Sequence, residues 1–80
     1  MILVIKNEKI SFRENMEGYL SLFSLCERSE GVTIQGFKYE LENAVITNDF
    51  PIGISNEFIG KQGSISVENG ELCCMISYPS

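Results

Sequence analysis

The sequence predicts an all-β domain of about eight short antiparallel strands, closed as a sandwich or barrel. Three observations carry this. Apolar residues recur with a period of two, which places alternate side chains on a packed and a wet face of a strand. Turn-forming Asn, Asp, Gly and Pro residues interrupt the chain every eight to twelve positions, the spacing of an all-β sandwich. No window carries the 3.6-residue apolar period of an amphipathic helix. With 80 residues, of which 44% are hydrophobic and 21% charged, the chain holds one domain with one core and has the composition of a globular protein.

Taken in order, residues 2–5 (Ile-Leu-Val-Ile) and 9–13 (Lys-Ile-Ser-Phe-Arg) flank Asn7-Glu8, and a tight turn there predicts a first hairpin. Residues 19–26 place Leu20 and Leu22 on one face and Phe23 and Leu25 on the other. A strand apolar on both faces is central in a sandwich or covered by a partner. Residues 31–37 alternate Val32 and Ile34 with Thr33 and Gln35, and residues 44–47 form a shorter β-branched run. An irregular, turn-rich stretch separates these two. Residues 48–53 (Asn-Asp-Phe-Pro-Ile-Gly) have the composition of a loop, after which residues 54–59 resume an extended path. Residues 64–68 and 71–78 flank Asn69-Gly70, and Asn-Gly accepts the positive φ angles of a type I′ turn, which predicts a closing hairpin.

Composition excludes several classes of function. A net charge of −5 is the wrong sign for neutralising phosphates along DNA or RNA, so nucleic acid is not expected as a partner. The longest apolar runs fall far short of a membrane span, and a signal peptide's basic start is missing, so the expectation is a cytoplasmic chain without membrane attachment. Cys26, Cys73 and Cys74 match neither a disulfide framework nor a zinc site and read as reduced thiols. Cys73 and Cys74 are adjacent on a strand and point to opposite faces. The absence of histidine removes an imidazole base, a Ser-His-Asp triad and a histidine metal ligand together. Glu27, Glu30, Glu40, Glu42, Asp49 and Glu57 are scattered among turns and read as solvated surface charges rather than as a metal or acid–base cluster. No Gly-rich loop for a triphosphate is present.

Two segments exceed what a plain sandwich requires: Gly36-Phe37-Lys38-Tyr39-Glu40-Leu41-Glu42-Asn43, and Gly53-Ile54-Ser55-Asn56-Glu57-Phe58. Together with the early Tyr19-x-Ser21-Leu22 strand and Ser66-Val67-Glu68-Asn69-Gly70 near the C-terminus, they resemble the thiamine-binding domain of thiamine pyrophosphokinases along essentially the whole chain. That resemblance implies a jelly-roll-like β-sandwich, with residues 1–80 as the thiamine-binding domain of an enzyme whose N-terminal α/β domain, which binds ATP and magnesium, is not part of this chain. The parent enzyme would transfer a pyrophosphoryl group from ATP to the hydroxyethyl oxygen of thiamine, giving thiamine diphosphate and AMP. It would act as a homodimer, with each site between the nucleotide domain of one subunit and the sandwich of the other. The isolated chain would be inactive and would bind neither ATP nor magnesium itself.

The resemblance also implies site residues. Tyr39 matches the position of an aromatic ring packed against thiamine, Ser55 and Asn56 match a polar pair that hydrogen-bonds the aminopyrimidine, and Lys38 is a further substrate-site residue able to steer a phosphate. Read from the residues alone, Tyr39 is equally a rim aromatic, Ser55-Asn56 a turn closed through its own backbone, and Lys38 a stem laid across the sheet. The alternative functions are a free-standing β-sandwich that binds a small molecule or a partner protein, and a purely structural oligomerisation module.

Overall fold

A computed structural model describes residues 1–48 and 54–78. Among these, eight strands form: β1 (Ile2–Lys6), β2 (Lys9–Phe12), β3 (Tyr19–Ser24), β4 (Arg28–Gln35), β5 (Leu41–Thr47), β6 (Ile54–Glu57), β7 (Gly63–Ser66) and β8 (Glu71–Ser77). No helix among the described residues is long and apolar enough to cross a membrane.

Two four-stranded sheets, ordered β1-β8-β3-β6 and β2-β7-β4-β5, pack face to face. Every pairing is antiparallel, and the pairs β4–β5, β3–β6, β2–β7 and β1–β8 are nested around the turn that follows β4. This is the eight-stranded jelly roll of two Greek keys. Among the eight described strands, β4 and β5 alone follow one another within one sheet; every other consecutive pair crosses from one sheet to the other.

Alternation builds the core. Ile5, Leu20, Leu22, Val32, Ile34, Ile65, Val67, Leu72, Cys74 and Ile76 point inward and are buried. β3 is an inner strand between β8 and β6, as its apolar content predicts, with Leu20 and Leu22 inward. Its outward Phe23 is half-buried, and Leu25, beyond the strand end, is exposed. β4 begins earlier than residue 31 and buries Val32 and Ile34 as expected.

Both predicted hairpins are corrected. β1 pairs with β8, and β2 pairs with β7, so Asn7-Glu8 is a crossing between sheets rather than a hairpin turn. Likewise β7 belongs to one sheet and β8 to the other. Gly70 has φ 131°, whereas Asn69 is not among the residues with positive φ, so the type I′ turn is not formed. The two crossings lie side by side: Asn7 N–H donates to Gly70 O at 3.2 Å, and Gly70 N–H donates to Asn7 Oδ1 at 2.9 Å. A local turn signal states that the chain reverses. It does not choose the partner, and burying both faces of the sandwich sends consecutive strands to opposite layers. The predicted loop at 48–53 falls mainly on residues 49–53, outside the described residues.

Cys26, Cys73 and Cys74 are free thiols. Cys74 faces the core while Cys73 faces outward half-buried, and burial pushes the Cys74 thiol up to about 11. Cys26 lies in the turn between β3 and β4, where hydrogen bonds from Ser29 first, then the Glu71 backbone and Ser24, lower its thiol to about 7. Because the thiolate is the nucleophile, its alkylation rate tracks the deprotonated fraction. Iodoacetamide labelling of Cys26, followed by peptide mass spectrometry, is expected to rise with pH through a midpoint at about 7 and to level off roughly one unit above it. A rate still climbing through pH 9 would contradict the hydrogen-bonded thiolate.

Candidate functional site

The turn after β4 leaves the second sheet and docks on β6, the edge strand of the first. Gly36 makes the departure possible: it has φ 78°, and a Cβ there would collide with the Gln62 carbonyl oxygen. Phe37 follows, buried and bridged across to Phe58. Beneath the bridge, Phe12, Phe37 and Phe58 form an aromatic cluster with centroids 4.8 to 5.8 Å apart, and Phe12 meets both others edge to face. Such contacts add to the stabilisation from buried area.

Above this cluster the backbone is tied down. Lys38 N–H donates to Glu57 O at 3.0 Å. Asn56, paired with inward-facing Leu20 and only 3% exposed, turns its amide toward Tyr39. Its Oδ1 accepts the N–H groups of Tyr39 at 3.0 Å and Glu57 at 2.9 Å, and its Nδ2 donates to Tyr39 O at 2.6 Å. An asparagine side chain offers two donors and a doubly accepting oxygen. Asn56 therefore has both oxygen lone pairs and one N–H committed, and its second N–H has no partner among the described residues. Tyr39 is tied through both its backbone N–H and its carbonyl while the residue stays 59% exposed.

The outcome is a depression of about 190 Å³ lined by Tyr19, Lys38, Tyr39, Ser55, Asn56 and Glu57. All four residues singled out in the sequence, Lys38, Tyr39, Ser55 and Asn56, meet there. Tyr19 and Glu57, which sequence reasoning did not assign to the site, join them because they are direct cross-strand partners in β3 and β6. Their only sequence signal is position, Tyr19 opening the early Tyr19-x-Ser21-Leu22 strand and Glu57 within residues 53–58. Lys38 Nζ lies 3.7 Å from Glu57 Oε2 and 5.6 Å from the centre of the Tyr39 ring, within cation–π range. A second hollow of about 460 Å³, between the β2–β3 and β6–β7 connections, shares Tyr19 and Glu57 with the first. Among the described residues no three Cys, Asp or Glu side chains converge as metal ligands.

An eight-stranded jelly roll with an aromatic, polar depression at its sheet edge defines the class of this domain. Comparison with known proteins identifies the family: the model for "Thiamin pyrophosphokinase, vitamin B1 binding domain" matches residues 7–72, and the chain belongs to that family. The crystal structure of thiamin pyrophosphokinase from Geobacillus thermodenitrificans superposes with a TM-score of 0.88 at 29% identity, over 99% of this chain and 37% of that one. The enzyme from Bacillus subtilis gives 0.84 at 29% identity with the same coverages, 99% and 37%. A thiamin pyrophosphokinase family protein from Enterococcus faecalis, at 24% identity and a TM-score of 0.73, shares the fold. This chain spans 37% of the length of these solved structures. No curated protein sequence matches it.

Replacing Asn56 by Ala removes three hydrogen bonds and leaves the Tyr39 and Glu57 backbone groups short of partners. Asn56→Ala is expected to lower unfolding free energy by about 1–3 kcal/mol in a urea titration, the cost of stranding buried polar groups. An unchanged midpoint would show that the Tyr39 turn does not depend on this amide.

Proposed function

We propose that this domain binds thiamine at the Tyr39 depression and serves as the substrate-recognition part of a thiamine pyrophosphokinase. The observation that carries the proposal is the convergence of Lys38, Tyr39, Ser55 and Asn56 on one depression, in a chain of the vitamin B1-binding family. The aminopyrimidine lies against the Tyr39 ring, an offset stack of the kind aromatic pairs favour. Ser55 Oγ both donates and accepts toward its ring nitrogens and amino group. Asn56 contributes its second N–H, and chiefly holds Tyr39 in place. Lys38 stands at the rim.

In the complete enzyme, ATP and magnesium are supplied by a nucleotide-binding domain, and the pyrophosphoryl group passes to the hydroxyethyl oxygen of thiamine. The contribution of the present residues is to bind and orient the acceptor, converting an encounter into a positioned reaction. The assembly is proposed as a cytoplasmic homodimer. Exposed Ile2 and Val4 on β1 and Met75 on β8, neighbours on the outer face of the first sheet, support a subunit contact there.

Thiamine titration followed by NMR chemical shifts tests the reading. Resonances of Tyr39, Ser55 and Asn56 are expected to move together, and Tyr39→Ala to weaken binding by about 0.5–2 kcal/mol, the worth of an aromatic stack or cation–π contact. Shifts clustered elsewhere, or an unchanged affinity in Tyr39→Ala, would place the ligand outside this depression.

A further inference from the structure

We propose that Glu57 recognises the cationic ring of the ligand, and that in the free chain the Lys38 ammonium occupies that place as a displaceable internal cation. This inference rests on the thiamine reading above. The free depression already displays a cation beside a carboxylate and over an aromatic face: Lys38 Nζ sits 3.7 Å from Glu57 Oε2 and 5.6 Å from the Tyr39 ring centre. The side chains of the pair are 51% and 37% exposed. Ion pairs this open to water are weakly held, so an arriving cation displaces Lys38 at little expense.

The shape of the surface places that cation at Glu57. Tyr19 and Glu57 are cross-strand partners and line both the 190 Å³ depression and the adjoining 460 Å³ hollow, so they form the ridge between two lobes. Thiamine is an aminopyrimidine joined by a single methylene to a thiazolium ring. With the first ring against Tyr39 and Ser55, the second lies one ring-width away, at the ridge and over into the larger lobe. That lobe is lined by a second carboxylate, Glu17, and by no lysine or arginine. Glu57 thus exchanges one partner for another: it releases the Lys38 ammonium and faces the thiazolium, while Lys38 swings to solvent at the rim. A neutral ligand of the same shape would gain nothing from Glu57.

The test compares thiamine with its neutral thiophene isostere, 3-deazathiamine, by NMR titration of the 80-residue chain and of Glu57→Gln and Lys38→Met variants whose spectra show them folded. Glu57→Gln is expected to weaken thiamine about two- to five-fold, the range of one exposed charge pair, and to leave 3-deazathiamine unchanged. Lys38→Met is expected to tighten thiamine, because the competing cation is gone. An equal loss for both ligands in Glu57→Gln, no loss for thiamine, or weaker thiamine binding in Lys38→Met overturns the inference and leaves thiamine binding standing. Failure of the unaltered chain to bind either ligand overturns the thiamine reading and this inference with it.

Discussion

The grip of the Asn56 amide on the Tyr39 backbone ties β6, the edge strand of the first sheet, to the turn that leaves the second. β6 belongs to the first sheet and the turn containing Tyr39 to the second. Two hydrogen bonds between one buried side chain and the Tyr39 backbone, beside the bond from Lys38 N–H to Glu57 O, hold the turn on β6 where no strand ladder continues. Buried polar groups stabilise only when fully partnered, and no buried side-chain nitrogen or oxygen among the described residues lacks a partner. The arrangement fixes the backbone from which a large exposed ring projects. Without it the turn would sample several backbone conformations, and a ligand would have to meet the entropy of ordering them.

The aromatic cluster below supplies the other half of that constraint. Phe37 and Phe58 flank Tyr39 and Asn56 in sequence and anchor both segments to Phe12 on β2. The segments that carry Lys38, Tyr39, Ser55 and Asn56 therefore rest on a packed aromatic cluster. The nested strand order has a further consequence. Its innermost hairpin is β4–β5, whose turn is the segment that carries Lys38 and Tyr39, while β1–β8 joins the two ends of the chain. The site thus grows out of the most local pairing in a fold otherwise made of distant ones, which are slow to close.

Much of this fold was legible because burial obeys a period of two. The alternation of Val32 with Thr33 and Ile34 with Gln35, and the apolar content of β3, led directly to the strands observed and to the inner position of β3. The errors share one cause. Asn7-Glu8 and Asn69-Gly70 advertise tight turns, yet in a jelly roll consecutive strands usually belong to different layers, and layer choice is a property of the whole core. The convergence of Lys38, Tyr39, Ser55 and Asn56 on one depression was legible as a set of residues, and their contacts only in part. Asn56 stood out as a polar residue able to donate and accept, but its engagement with the Tyr39 backbone is a contact across 17 positions that no local pattern encodes. Tyr19 and Glu57 went unassigned for a related reason, since their pairing depends on the register of two strands far apart in sequence.

The proposed recognition of thiamine depends on Tyr39 being held by Asn56, and amide hydrogen exchange reads that restraint at a single atom. The Tyr39 N–H belongs to an exposed turn residue but donates to a buried oxygen, so it is predicted to exchange as slowly as the paired amides of β6, and to slow further when thiamine is added. Exchange at the rate of an unprotected loop amide, with or without thiamine, would contradict the claim that a fixed Tyr39 forms the site.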